Sequence, residues 1–133
     1  MPTEPHVPTD FVRRLTALLA DDRRIVGMWL EGDDAGVQFP PYERIDLHVT
    51  LAEPDLPGFA DELGELLARA DAVTDFSRQA APLKGFAGTA VLSDGTPITY
   101  RLERSSQIGK VPRRHVNVLL DATGLLVPAL SFE

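Results

Sequence analysis

A polar side chain recurs at every second position through the middle of this chain. In Tyr42-Glu43-Arg44-Ile45-Asp46-Leu47-His48-Val49, the residues Arg44, Asp46 and His48 alternate with apolar ones. An extended backbone therefore sets all three on one face. Such a row supports two kinds of chemistry. A strand carboxylate with an imidazole two residues on can begin a divalent-cation site or an acid–base pair near neutral pH. Equally, Asp46 can pair with Arg44 as a plain ion pair while His48 serves as a hydrogen-bonded structural residue. Asp33-Asp34 is a second acidic spot, either a cation ligand or a solvated turn. Lys110, Arg113, Arg114 and His115 make a basic cluster suited to a phosphate or an acidic partner, or simply to solvent.

The elements that must position these groups are legible from periodicity. Residues 1–8 carry Pro2, Pro5 and Pro8 and read as an extended arm. Phe11, Leu15, Leu18 and Leu19 then recur at helical spacing behind an N-cap at Thr9 or Asp10. Ile25–Leu30 is a short apolar run of strand type, buried on both faces, and Glu31-Gly32-Asp33-Asp34 reads as a turn. Gln38–Pro41 is a loop, because Pro40-Pro41 fits neither a helix interior nor a central strand.

In the strand Ile45–Leu51, the residues Ile45, Leu47, Val49 and Leu51 take one face and Asp46, His48 and Thr50 the other. Asp55 is placed to cap a second helix with Pro57 in its first turn, and Phe59, Leu63, Leu66, Leu67 and Ala70 give that helix one apolar stripe. Phe76–Leu83 carries no clear signal. Gly85–Leu92 and Pro97–Glu103 flank Ser93-Asp94-Gly95 and predict a hairpin. On its second strand Thr99, Arg101 and Glu103 share a face. Lys110–His115 reads as a loop, Val116–Leu120 as a strand, Asp121-Ala122-Thr123-Gly124 as a turn, and Leu125–Leu130 as a last apolar stretch.

The order strand, Gly-bearing turn, strand with a central Asp resembles the core of the nucleotidyltransferase superfamily, its aminoglycoside-adenylyltransferase-like branch in particular. In active members a strand ends in Gly-Ser and opens a helix that holds the triphosphate. A later strand carries two Asp separated by one residue, and a third carboxylate lies on a subsequent strand. Together the acids hold the Mg²⁺ that bridges the phosphates. Here Gly32 matches the glycine and Asp33 stands at the serine position. Asp46 matches the second Asp, and Arg44 occupies the place of the first. The third falls on the Thr99–Glu103 face, where Glu103 is the acid. Relatives often read Asp-Leu-His at the Asp46 position as well.

The resemblance implies an α/β (α+β) domain over residues 9–133: a mixed sheet flanked by two main helices, with a C-terminal β meander. It implies Asp46 as a residual catalytic carboxylate and Gly32, Asp33, Arg44, His48 and Glu103 as ligand-binding residues. The departures work against nucleotidyl transfer. Asp33 puts a carboxylate where a triphosphate needs a donor, and Arg44 replaces a metal ligand with a fixed cation. The expectation is a degenerate domain that holds a small ligand, with a nucleotide-like molecule as one candidate, as a binding or regulatory module. Two alternatives stand beside it. One is an active transferase using Mg²⁺ on Asp33 or Asp34, Asp46 and Glu103. The other is a protein-interaction partner or homodimer, a part that small bacterial chains of this resemblance play.

Composition bounds the rest. A chain of 133 residues that is 44% hydrophobic and 25% charged is expected to be one soluble globular domain. Thirteen basic against 20 acidic residues give a net charge of −7, which disfavours nucleic acid and anionic membranes as partners. There is no cysteine, hence no disulfide and no thiolate metal site. The acidic, Pro-rich N-terminus is no signal peptide and no apolar run reaches membrane-span length, so the expected compartment is the cytoplasm. Phosphate-loop, nucleophile-elbow and zinc-helix motifs are absent.

Overall fold

Alternation in the central strands and three-to-four spacing in the helices give these elements an apolar side, and the fold joins those sides. The structure is a computed structural model that describes residues 6–32, 42–82, 85–106 and 116–122. Six strands, β1 (Ile25–Glu31), β2 (Ile45–Leu51), β3 (Gln79–Ala81), β4 (Gly85–Val91), β5 (Pro97–Arg104) and β6 (Val116–Asp121), form one mixed sheet in the order β3-β4-β5-β2-β1-β6. Among the described strands β2 and β5 pair in parallel and the other neighbours are antiparallel. Among the described residues two α-helices, α1 (Val7–Leu19) and α2 (Leu56–Ala70), join the sheet in an α/β fold.

Both helices lie on the same face of the sheet. Phe11, Leu15 and Leu19 of α1 and Phe59, Leu63 and Leu67 of α2 join one buried cluster with Met28, Leu30, Ile45, Leu47, Val49, Leu51, Ile98 and Leu102. Each fully buried side chain of this size contributes about 1.5–3 kcal/mol. At the rim, Arg24 pairs with Asp22 and with Glu62 of α2, and its guanidinium lies 5.2 Å from the centre of the Phe59 ring. No described helix is long and apolar enough to cross a membrane.

Several expectations need correction. Helix α1 begins at Val7, so Val7 and Pro8 belong to it and not to an extended arm. Proline is tolerated in a first turn, and the cap is the His6 side chain, whose Nδ1 accepts from the Thr9 N–H at 3.3 Å. Glu31 closes β1 and does not open a turn. Asp55 does precede α2, but its side chain makes no capping bond, and a single 3₁₀ turn (Glu53–Asp55) leads into the helix.

The silent stretch Phe76–Leu83 contains β3. Strands β3, β4 and β5 form an antiparallel meander, but β6 leaves it and pairs with β1 at the far side of the sheet. The predicted hairpin is present, with Gly95 at φ 92° in its turn, a conformation glycine adopts without strain. Asp33, Asp34, the Pro40-Pro41 loop, the Lys110–His115 cluster, Thr123-Gly124 and Leu125–Leu130 lie outside the described residues.

Gly88 of β4 marks a close crossing. The chain before β3 runs along β4, with Thr74 bridged to Val91 and Ser77 N–H donating to Thr89 O at 2.9 Å. The Tyr100 hydroxyl donates to Ser77 O at 2.6 Å. A Cβ on Gly88 would stand 2.0 Å from Ser77 O and 2.6 Å from the Tyr100 hydroxyl. Gly88→Ala is therefore expected to push the Ser77 segment off the sheet and cost about 1–3 kcal/mol. Urea unfolding checks this; a midpoint equal to wild type would contradict the crossing.

Candidate functional site

The face of the sheet turned away from the helices carries the polar alternates of three neighbouring strands. Register brings them together. Across β1 and β2, Trp29 faces His48; across β2 and β5, Asp46 faces Thr99, His48 faces Arg101 and Thr50 faces Glu103. Directly paired residues share a face, so Trp29, Asp46, His48, Thr50, Thr99, Arg101 and Glu103 converge there, and Glu31 joins them two residues beyond Trp29. Three separate strands thus deliver three carboxylates to one imidazole.

His48 is the centre. Its Nε2 lies 2.8 Å from Glu31 Oε2 and 3.1 Å from Asp46 Oδ1, so one N–H is shared between two carboxylates. On the other side of the ring Nδ1 lies 3.6 Å from Glu103 Oε2, an ion-pair contact too long for a hydrogen bond. The imidazole stacks on Trp29 with centroids 5.3 Å apart and planes inclined by 17°. Trp29 is fully buried, and its Nε1–H donates to the same Glu31 Oε2 at 3.2 Å. Asp46 Oδ1 also accepts from the Thr99 hydroxyl at 3.3 Å, and the Thr50 hydroxyl donates to the backbone carbonyl of Glu103 at 3.1 Å.

Burial opposes a charged imidazole, and the His48 side chain is only 8% exposed. The hydrogen-bonding carboxylate of Asp46, the longer ion-pair contact of Glu103 and the close carboxylate of Glu31 outweigh that cost and push His48 up to about 10. His48 is consequently an imidazolium at neutral pH. Asp46 shows the reciprocal balance: burial raises it, but the bond and charge of His48, the Thr99 hydroxyl and the nearby positive charge of Arg44 together hold it below the usual carboxylate range.

Above this cluster lies a cleft of about 530 Å³, lined by Glu31, Asp46, His48 and Arg101 together with residues of β3 and β4. Of the residues expected at a site, Asp46, His48 and Glu103 are brought together. Arg44 lies exposed just before β2, and Asp46 makes its hydrogen bonds to His48 and Thr99, with the Arg44 charge acting on it more weakly. Gly32 follows the end of β1, and Asp33 lies outside the described residues. Sequence reasoning missed Glu31, Trp29 and Arg101. The signal for Glu31 was its parity with Trp29, hidden because Glu31-Gly32-Asp33-Asp34 also reads as a turn.

The Mg²⁺ that the resemblance implies does not fit these residues. Magnesium demands near-octahedral oxygen ligands. Here Asp46 and Glu103 approach opposite ring nitrogens, with the imidazolium between them. Among the described residues no group of three or more His, Asp or Glu side chains is arranged to hold a metal. His48 supplies the positive charge that a metal would otherwise bring. No protein-family model matches the chain, and no curated protein matches it.

Proposed function

We propose that this chain is a small-ligand-binding domain of nucleotidyltransferase-like build that acts as a binding or regulatory module without nucleotidyl transfer. The observation that carries this is the buried imidazolium with its three carboxylates, set at the floor of an open cleft and not in the helix-facing core. Burying ions costs more than their attraction commonly returns, and apolar side chains of equal volume would serve stability as well or better. Such an expense at the floor of a cleft is the mark of a binding site. A cytoplasmic location belongs to the same proposal and rests on sequence character alone.

Amide chemical-shift mapping of the ¹⁵N-labelled protein against mixtures of small polar metabolites, and against each nucleoside triphosphate with Mg²⁺, tests the reading. Ligand shifts confined to Asp46, Thr99, Arg101 and their neighbours are the expected result. At 100 times Kd a ligand adds about 2.7 kcal/mol to stability, and Asp46→Ala should remove most of that gain. A Mg²⁺-dependent triphosphate response would restore the enzyme alternative. No response from any mixture would sink the ligand reading in favour of a protein partner or a homodimer.

A further inference from the structure

Two groups at the cleft are not used up by the His48 cluster. Every hydrogen bond that Asp46 makes among the described residues goes through Oδ1, and its side chain is 31% exposed, so Oδ2 is left to the cleft. Arg101 lines the same cleft and has no hydrogen-bond or ion-pair partner among the described residues, although Asp46 stands on the adjoining strand β2 and Glu103 two residues on along its own. A half-buried guanidinium beside acids ordinarily pairs with one. One left over, next to a carboxylate oxygen also left over, is a pair of opposite charges waiting on a third party.

Their opposite charges and neighbouring positions point to the class of that party. Asp46 faces Thr99 across the parallel β2–β5 ladder, and Arg101 is two residues further along β5. Adjacent strands about 4.8 Å apart and a rise of about 3.3 Å per residue put the Asp46 and Arg101 Cα atoms roughly 8 Å apart. The long arginine side chain shortens or lengthens the gap between charged ends. A cation and an anion on one small molecule, each adding a charge-assisted bond of about 2.8 Å, bridge a gap of this size. The guanidinium takes a carboxylate in a planar fork; the carboxylate oxygen takes an ammonium. Thr99, directly opposite Asp46 and two residues before Arg101, lines the same cleft and donates its hydroxyl to Asp46 Oδ1.

We infer that the cleft binds a small zwitterion of the α-amino-acid class, its ammonium on Asp46 Oδ2 and its carboxylate on Arg101. This rests on the ligand-binding reading and narrows it. The geometry selects against two simpler classes. A polyanion such as a triphosphate satisfies Arg101 but faces Asp46 and Glu31, and a simple amine satisfies Asp46 but leaves Arg101 without a partner.

The test is a calorimetric titration of the full chain with a panel of α-amino acids, and with the amine lacking the carboxylate and the acid lacking the amine for each one that binds. Loss of either charged group is expected to weaken binding roughly 10- to 100-fold. Arg101→Gln should abolish the preference for the amino acid over its amine, and Asp46→Asn the preference over its acid. Each variant should keep the discrimination that belongs to the other group. Circular dichroism and the urea midpoint confirm that both variants fold. Should the amine or the acid bind as well as the zwitterion, or Arg101→Gln keep full discrimination, the assignment is overturned while cleft binding stands. It is likewise overturned if only metabolites outside this class bind at the cleft. If no compound of any class moves the amides around Asp46, both this inference and the ligand-binding reading fall.

Discussion

Replacing His48 with alanine is expected to cost about 3–5 kcal/mol of folding free energy, a large share of what a domain of this size possesses. Two losses combine. The first is electrostatic: Glu31, Asp46 and Glu103 side chains are 16%, 31% and 12% exposed and would confront one another without the imidazolium that sits among them. Removing one partner of a buried charge set leaves the others uncompensated, and that, more than the lost attraction, sets the size of the effect. The second is packing, because the ring stacks on the buried Trp29 and its removal opens a void against the indole.

The two parts separate experimentally. Adding Glu31→Gln and Asp46→Asn to His48→Ala removes stranded charge and should recover part of the loss, while the void remains. Urea unfolding of wild type, His48→Ala and the triple variant gives the comparison. A His48→Ala variant within 1 kcal/mol of wild type, on the scale of an ordinary surface substitution, would show that the cluster does not hold this face together.

Much of the frame was legible because burial enforces period. In β2 the alternation of Ile45, Leu47, Val49 and Leu51 with Asp46, His48 and Thr50 is the alternation of helix-facing and cleft-facing residues. The Phe59–Ala70 stripe likewise fixed the buried side of α2. What stayed hidden is what sequence distance conceals. β3 is three residues, Gln79–Ala81, mostly exposed, with neither β-branched residues nor alternation, and it exists because β4 offers an edge to pair with. That β6 crosses to β1 is a decision of tertiary packing, invisible in Val116–Asp121 taken alone.

The site was half legible for the same reason. Parity placed Asp46 and His48 together on β2, and Thr99, Arg101 and Glu103 together on β5. The parallel register that sets Thr50 against Glu103 and His48 against Arg101 is a relation between strands 53 residues apart, as the Asp46–Thr99 bond itself shows. Arg44 and His48 stand equally near Asp46 in sequence, so parity alone offered either as its partner. His48 and Thr99 take the hydrogen bonds because they stand on the cleft face with Asp46 while Arg44 is exposed, and a partly buried hydrogen bond is worth more than an exposed ion pair.

Stability should fall steadily as pH rises from neutrality toward 10, and this slope should vanish in His48→Gln. The folded-state value of His48, about 10, lies above the ordinary 6.5. A group raised on folding contributes fully below its unfolded value and loses that contribution as pH climbs through the folded one. The window is therefore about 6.5 to 10, and the loss across it is on the order of 4 kcal/mol. Asp46 acts on the opposite limb: held below its usual value of 3.8, it contributes above that value and loses the contribution as pH falls through the folded one.

The buried hydroxyls of Tyr42 and Tyr100 are both raised above their ordinary 10 by burial, so their own ionisation weighs on the alkaline side beyond the window. Between about pH 7 and 9.5 the slope thus belongs to His48. Urea midpoints across that range, read through the emission of Trp29, the chain's single tryptophan and the ring stacked on His48, make the measurement direct. A flat profile in the wild type would mean that His48 is neutral in the folded protein. The three carboxylates would then be balanced by something other than the imidazole at their centre.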